Sequence, residues 1–150
     1  MITTIQRSAL LMHSAEQMYQ LVNDVEAYPQ FMKGCRGARI LEQGEDYMVA
    51  RLELMAKGVS CNFVTRNTLH QNSAIELNLE EGPFSQLHGK WTFKSLTESA
   101  CKVSLQLEFQ FNSMSVGLAS SSLFSSVANN LLDATVAQAA KVYGGAKSKV

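Results

Sequence analysis

The segment CKVSLQLEFQF, residues 101–111, decides the fold. Its apolar side chains, Cys101, Val103, Leu105, Leu107, Phe109 and Phe111, recur at every second position with polar ones mostly between. Successive residues of a strand point to opposite faces, so this run has one dry face and one wet face, the mark of an antiparallel sheet. The same period appears upstream. Met48, Ala50, Leu52 and Leu54 alternate with Val49, Arg51 and Glu53; Ile75, Leu77 and Leu79 alternate with Glu76, Asn78 and Glu80. Leu87, Gly89, Trp91 and Phe93 alternate with His88, Lys90, Thr92 and Lys94. Turn-forming clusters separate these runs: Gly44-Glu45-Asp46, Lys57-Gly58, Gln71-Asn72-Ser73, Glu81-Gly82-Pro83 and Glu98-Ser99. Six strands are therefore expected between 38 and 111, and a seventh, first in the chain, within Ile2–Leu11.

Either side of the sheet the period changes to that of a helix. SAEQ at 14–17 is a capping box, and Met18, Leu21, Val22 and Val25 follow at helical spacing. Asp24 can start a second short turn, and Pro29 should push Tyr28 out of helical geometry, leaving Phe31 and Met32 in a loop. The last element predicted is a helix from about Ser115 to Tyr143, ended by Gly144-Gly145. Between 114 and 143 it carries only two charged residues, Asp133 and Lys141. Leu123, Phe124, Val127, Leu131, Leu132, Val136 and Ala139 spread around more than half its circumference, wider than the stripe of an ordinary surface helix. Such a helix should be covered on more than one side. The sum is a single α+β domain over residues 1–150, ordered over about 2–143, with a curved antiparallel sheet gripping a long terminal helix. The polar tail GGAKSKV should fray.

With 46% apolar and 17% charged residues the chain is globular, and long enough for a core without disulfides or metals. Thirteen basic residues balance thirteen acidic ones, so bulk charge gives no reason to expect DNA or other nucleic acid as a partner, though a local patch is compatible with it. Cys35, Cys61 and Cys101 are scattered and odd in number, as reduced thiols in a cytoplasm are. No run approaches the roughly 20 apolar residues of a membrane span.

Catalytic signals are weak. His13, His70 and His88 lack any ligand spacing, so no metal is expected. No phosphate loop and no nucleophile elbow appears. Glu80 and Glu81 are adjacent on a strand and so point to opposite faces, a poor acid/base pair. Cys35 follows Lys33 and precedes Arg36, which would lower a thiol's pKa, but no histidine partner can be placed. What stands out is apolar excess where sheet, helix and connecting loops converge. That convergence is compatible with a ligand cavity and equally with a solid core.

Two motifs sharpen the choice. YPQFMKGC at 28–35 and GPFSQLHGKWTF at 82–93 resemble those of the RatA and coenzyme Q-binding branch of the START-like (helix-grip, polyketide cyclase-like) proteins. Tyr28, Pro29, Phe31 and Cys35 match the first motif; Gly82, Pro83, Phe84, Leu87, Trp91 and Phe93 match the second. Met32, Lys33 and Gly34 stand where Leu-Pro-Trp is common. The resemblance spans about residues 2–143 and implies a deep hydrophobic tunnel between sheet and helix.

It also implies two activities. One is a non-enzymatic carrier of ubiquinone or a similar polyprenyl lipid supporting respiration, cytoplasmic with transient contact at the inner membrane, the quinone being cargo rather than cofactor. Phe31, Met32 and Phe84 would then sit at the mouth. Leu52, Leu54, Leu77, Trp91, Phe93, Leu105, Leu107 and Phe109 would line the sheet side, and Leu123, Val127 and Leu131 the helix side. The other is a toxin that binds the large ribosomal subunit and blocks its joining to the small one, for which Lys33, Arg36 and Arg39 offer a small basic group. An aromatase/cyclase-type enzyme shares the fold and is a third possibility, carried by fold analogy alone.

Overall fold

A computed structural model describes residues 2–112 and 117–144. Seven strands form one antiparallel sheet: β1 (Thr3–Leu11), β2 (Cys35–Gln43), β3 (Tyr47–Ala56), β4 (Val59–His70), β5 (Ala74–Glu81), β6 (Phe84–Thr97) and β7 (Ala100–Phe111). Their order across the sheet is β1-β7-β6-β5-β4-β3-β2, so each hairpin joins neighbours and only β1 must travel, to pair with β7. Every expected turn cluster falls at a junction between strands. Lys57 and Gly58 both have positive φ (53° and 80°), the backbone of a tight two-residue hairpin.

The connection from β1 to β2 differs from expectation. Helix α1 (Ala15–Asn23) starts on the anticipated capping box: the Ser14 hydroxyl accepts from the Gln17 amide at 3.1 Å, and the Gln17 side chain accepts from the Ser14 amide at 2.9 Å. A 3-10 turn at Val25–Ala27 then runs directly into α2 (Tyr28–Phe31). Pro29 opens this helix rather than barring it, and Tyr28 is helical at φ −52°, ψ −41°. In a first turn the missing proline N–H has no partner to lose. The Tyr28 hydroxyl donates to the carbonyl of Val22, one of the unpaired carbonyls in the last turn of α1, and so ties the start of α2 to it. Phe31 thus closes a helical turn, and Met32 is its C-cap.

The terminal helix α3 is Leu118–Tyr143, about 39 Å long; the start expected near Ser115 lies outside the described residues, as does most of the polar tail. Phe124, Ala128, Leu132, Thr135 and Ala139 form one buried stripe. Leu123, Val127 and Leu131 flank it, half-buried. The helix is not wrapped all round, however. Ser122, Ser126, Asn129, Asn130, Asp133 and Ala137 make an exposed face. Small and uncharged polar side chains dominate that wet face, while buried and half-buried residues take up the larger part of the circumference, as the spread of apolar residues predicts.

Hydrogen bonds fasten α3 on three sides: Ser120 donates to the Ser60 carbonyl (3.0 Å), Arg7 to Asn129 Oδ1 (2.8 Å), and the Tyr143 hydroxyl to the Gln17 carbonyl (2.9 Å). Among the described residues none joins α3 to the segment 24–34, which meets it through apolar contact alone.

Candidate functional site

Between the sheet's inner face and α3 lies a cavity of about 80 Å³. Its floor follows one row of paired residues across the sheet: Met48 to Asn67, Asn67 to Leu77, Leu77 to Gly89, Gly89 to Leu107. Asn67, Leu77 and Leu107 line the cavity from that row. Gly89 leaves space that its neighbours take. A Cβ added there would lie 2.5 Å from Leu107 Cδ2 and 3.3 Å from Leu77 Cδ1, so both leucines lean across the bare backbone. The roof comes from Phe124, Val127, Ala128 and Leu131 of α3, and one wall from Val25, Tyr28 and Met32.

Of the residues expected to line a tunnel, Met32, Leu52, Leu54, Leu77, Trp91, Leu107, Val127 and Leu131 surround the cavity. Phe31, Phe84, Phe93, Leu105, Phe109 and Leu123 do not, for identifiable reasons. Phe84 is not at a mouth, and Phe109 does not line the space; with Phe63, Phe111 and Phe124 they form an aromatic plug. Phe84 sits 4.8 Å from Phe111, 4.9 Å from Phe124 and 5.8 Å from Phe63, ring centre to ring centre. Phe93 turns towards α1, edge-on to Tyr19 at 5.7 Å. Leu105 is fully buried between its strand partners Trp91 and Arg7. Phe31 packs edge-on against Tyr28 at 5.8 Å, and Leu123 lies half-buried beside Gly34.

The plug and the leaning leucines are also why the space is a small cavity and not the deep tunnel the motifs implied. Pockets for drug-sized ligands hold roughly 300–1,000 Å³. A quinone with its tail needs this one to widen.

Sequence reasoning missed Val25, Tyr28, Ala50, Phe63, Leu87, Phe124 and Ala128, all apolar or aromatic, and two polar residues, Thr65 and Asn67. The polar pair is 7% and 4% exposed, and the Thr65 hydroxyl donates to Asn67 Oδ1 at 2.8 Å. A signal existed: β4 is bracketed by Lys57-Gly58 and Gln71, and Cys61, Phe63, Thr65, Asn67 and Leu69 share its dry phase.

Among the described residues no Asp, Glu, His, Lys, Arg or Cys lines the cavity, and its one phenol, Tyr28, gives its hydroxyl to the Val22 carbonyl. His70 pairs with Glu76 at 2.7 Å and His88 with Asn78 at 2.9 Å, on the outer face, while His13 lies against Tyr143. Glu80 and Glu81 are exposed. The Cys35 thiol is raised, not lowered: burial dominates, the nearby Glu53 adds to it, and the bases beside it in sequence point to solvent. The same exposure leaves Lys33, Arg36 and Arg39 as a basic group outside the cavity; Arg36 rests on Met55 Sδ, and Arg39 stands opposite Arg51, itself paired with Glu53 at 3.2 Å. No described helix is long and apolar enough to cross a membrane, and no described cluster of His, Cys, Asp and Glu could hold a metal.

A curved seven-stranded sheet closed over a long terminal helix, with an apolar cavity between them, defines the START-like, helix-grip class. A solved aromatase/cyclase, Zhui from Streptomyces sp. R1128, shares that fold with a TM-score of 0.79 over 99% of this chain and 100% of its own, at 18% identity. The chain belongs to the family described as polyketide cyclase / dehydrase and lipid transport, which it matches over residues 11–136, and within it to the RatA group. It is 45% identical over 140 residues to the ribosome association toxin RatA of Vibrio cholerae, covering 93% of this chain and 97% of that one. A more distant relative is the mitochondrial coenzyme Q-binding protein COQ10 of Dictyostelium discoideum, 24% identical over 98% of this chain and 74% of its own. These two relatives are named for binding or toxicity and not for an enzymatic activity.

Proposed function

We propose that this protein associates with the ribosome, binding the large subunit and opposing its union with the small one. The likeness to RatA over nearly the full length of both chains carries this reading. The exposed Lys33, Arg36 and Arg39 support it as a local phosphate-binding group on a chain of zero formal charge. With about three phosphates neutralised, the logarithm of affinity should fall against the logarithm of salt with a slope no steeper than about −3. Sucrose-gradient profiles after overexpression test it: free subunits should accumulate at the expense of joined ribosomes. Unchanged profiles at low and high salt would remove the reading.

A second reading rests on the cavity. Mostly apolar walls, with no carboxylate, imidazole, amine or thiol among them, suit a lipophilic guest that is carried and not transformed, with ubiquinone or another polyprenyl lipid the class favoured by the distant COQ10 likeness. Each CH₂ moved from water into such walls contributes roughly 0.8 kcal/mol. Lipid extracted from protein made in a quinone-replete host, measured by mass spectrometry, tests this. The two readings use different surfaces and do not compete.

A further inference from the structure

The cavity is apolar except at one place. On β4, Thr65 and Asn67 are two residues apart and therefore share the inner face. Ordinarily a buried amide is fully bonded, because an unmet donor in a dry site is costly. Here Thr65 meets only the oxygen of Asn67, and among the described residues the Nδ2 of Asn67 has no hydrogen-bond partner. Asn67 is 4% exposed and its side chain borders the cavity; the fully buried and unpartnered side-chain atom among the described residues is Asn23 Oδ1, so the Asn67 amide keeps its access to the cavity space. A neutral carboxamide fixed by its own oxygen presents two N–H donors and no charge. That selects an acceptor, such as a ketone or quinone oxygen, on a guest whose remaining surface is hydrocarbon.

We infer that Asn67, oriented by Thr65, is the polar anchor of the cavity, and that its ligand is an apolar molecule carrying a buried carbonyl-type oxygen. This rests on the lipid-binding reading and adds to it a chemical requirement at a named atom. The arrangement also explains why the pair lies on a face otherwise filled by Cys61, Phe63 and Leu69. Filling both positions with apolar groups of similar shape would be close to neutral for folding.

The test uses two probes of matched tail, decylubiquinone and decylbenzene, in equilibrium dialysis against the full chain. Trp91, the single tryptophan and part of the cavity wall, gives a second readout through quenching by the quinone. Asn67→Leu should weaken decylubiquinone by about tenfold, the worth of one hydrogen bond, and leave decylbenzene unchanged or tighter. The double variant Thr65→Val with Asn67→Leu should show the same discrimination with an undiminished Tm, which removes misfolding as a cause. Equal losses for both probes, or no change in either, would overturn the anchor while leaving the lipid reading intact. A higher Tm for Asn67→Leu with both affinities unchanged would mean that the amide holds only a water, and would also overturn it. A wild-type chain that binds neither probe defeats the lipid reading itself, and the anchor with it.

Discussion

Gly34 rests directly on Val127: a Cβ placed at residue 34 would lie 2.9 Å from Val127 Cγ2. Its φ of +92° adds a second obstacle to any side chain. At this point the backbone itself descends onto the helix. Gly34→Ala should cost about 1–3 kcal/mol in urea unfolding. Combining it with Val127→Ala should cost less than the sum of the two single changes, because the clash is shared. Strict additivity would show that the contact does not constrain the segment 24–34.

Tyr28 fastens the start of α2 to the end of α1 through its bond to the Val22 carbonyl. Tyr28→Phe keeps the ring but leaves a buried acceptor unmet, and should lower stability by about 1–3 kcal/mol. A change within experimental error would assign the ring alone to that junction.

Two phenylalanines of the family motifs, Phe84 and Phe31, should separate in a stability measurement. Phe84→Ala empties the centre of an aromatic plug and should cost about 3–5 kcal/mol. Phe31→Ala removes a half-buried ring with one aromatic neighbour and should cost about 1 kcal/mol. Equal costs would contradict the plug.

Alkaline pH should loosen the fold. Burial pushes the Cys61 thiol from its ordinary 9.0 up to about 11, and raises those of Cys35 and Cys101 as well. The unfolded chain therefore releases these protons first. The stability they lend is fully present below the unfolded value and drains away as pH rises towards about 11. Tm should fall between about pH 8 and about pH 10.5, and less steeply for Cys61→Ala. The same thiols should resist alkylation at neutral pH in the folded chain. Rapid labelling of Cys61 there would sink this account.

The strands and their turns were legible because a half-buried strand writes its exposure into the sequence with a period of two, and positions such as Lys57-Gly58 admit few alternatives. Pro29 was misread because the same residue that ends one helix can begin another, and the choice depends on the Tyr28 bond to Val22 six positions away. The lining of the cavity was half legible. Alternation says that Phe84, Phe93 and Leu105 face inward, but not which of them touch space and which touch each other. Asn67 escaped notice since its oddity, a carboxamide in a dry phase, becomes visible only once β4 is read by the same rule as its neighbours.

The helix that roofs the site is nailed down on three sides and merely greased on the fourth. Aliphatic surfaces slide with little loss where a hydrogen bond would have to snap. Any swelling of the interior should therefore begin along the join between Gly34 and Val127, and a bulky guest would slip in there like a letter under a door.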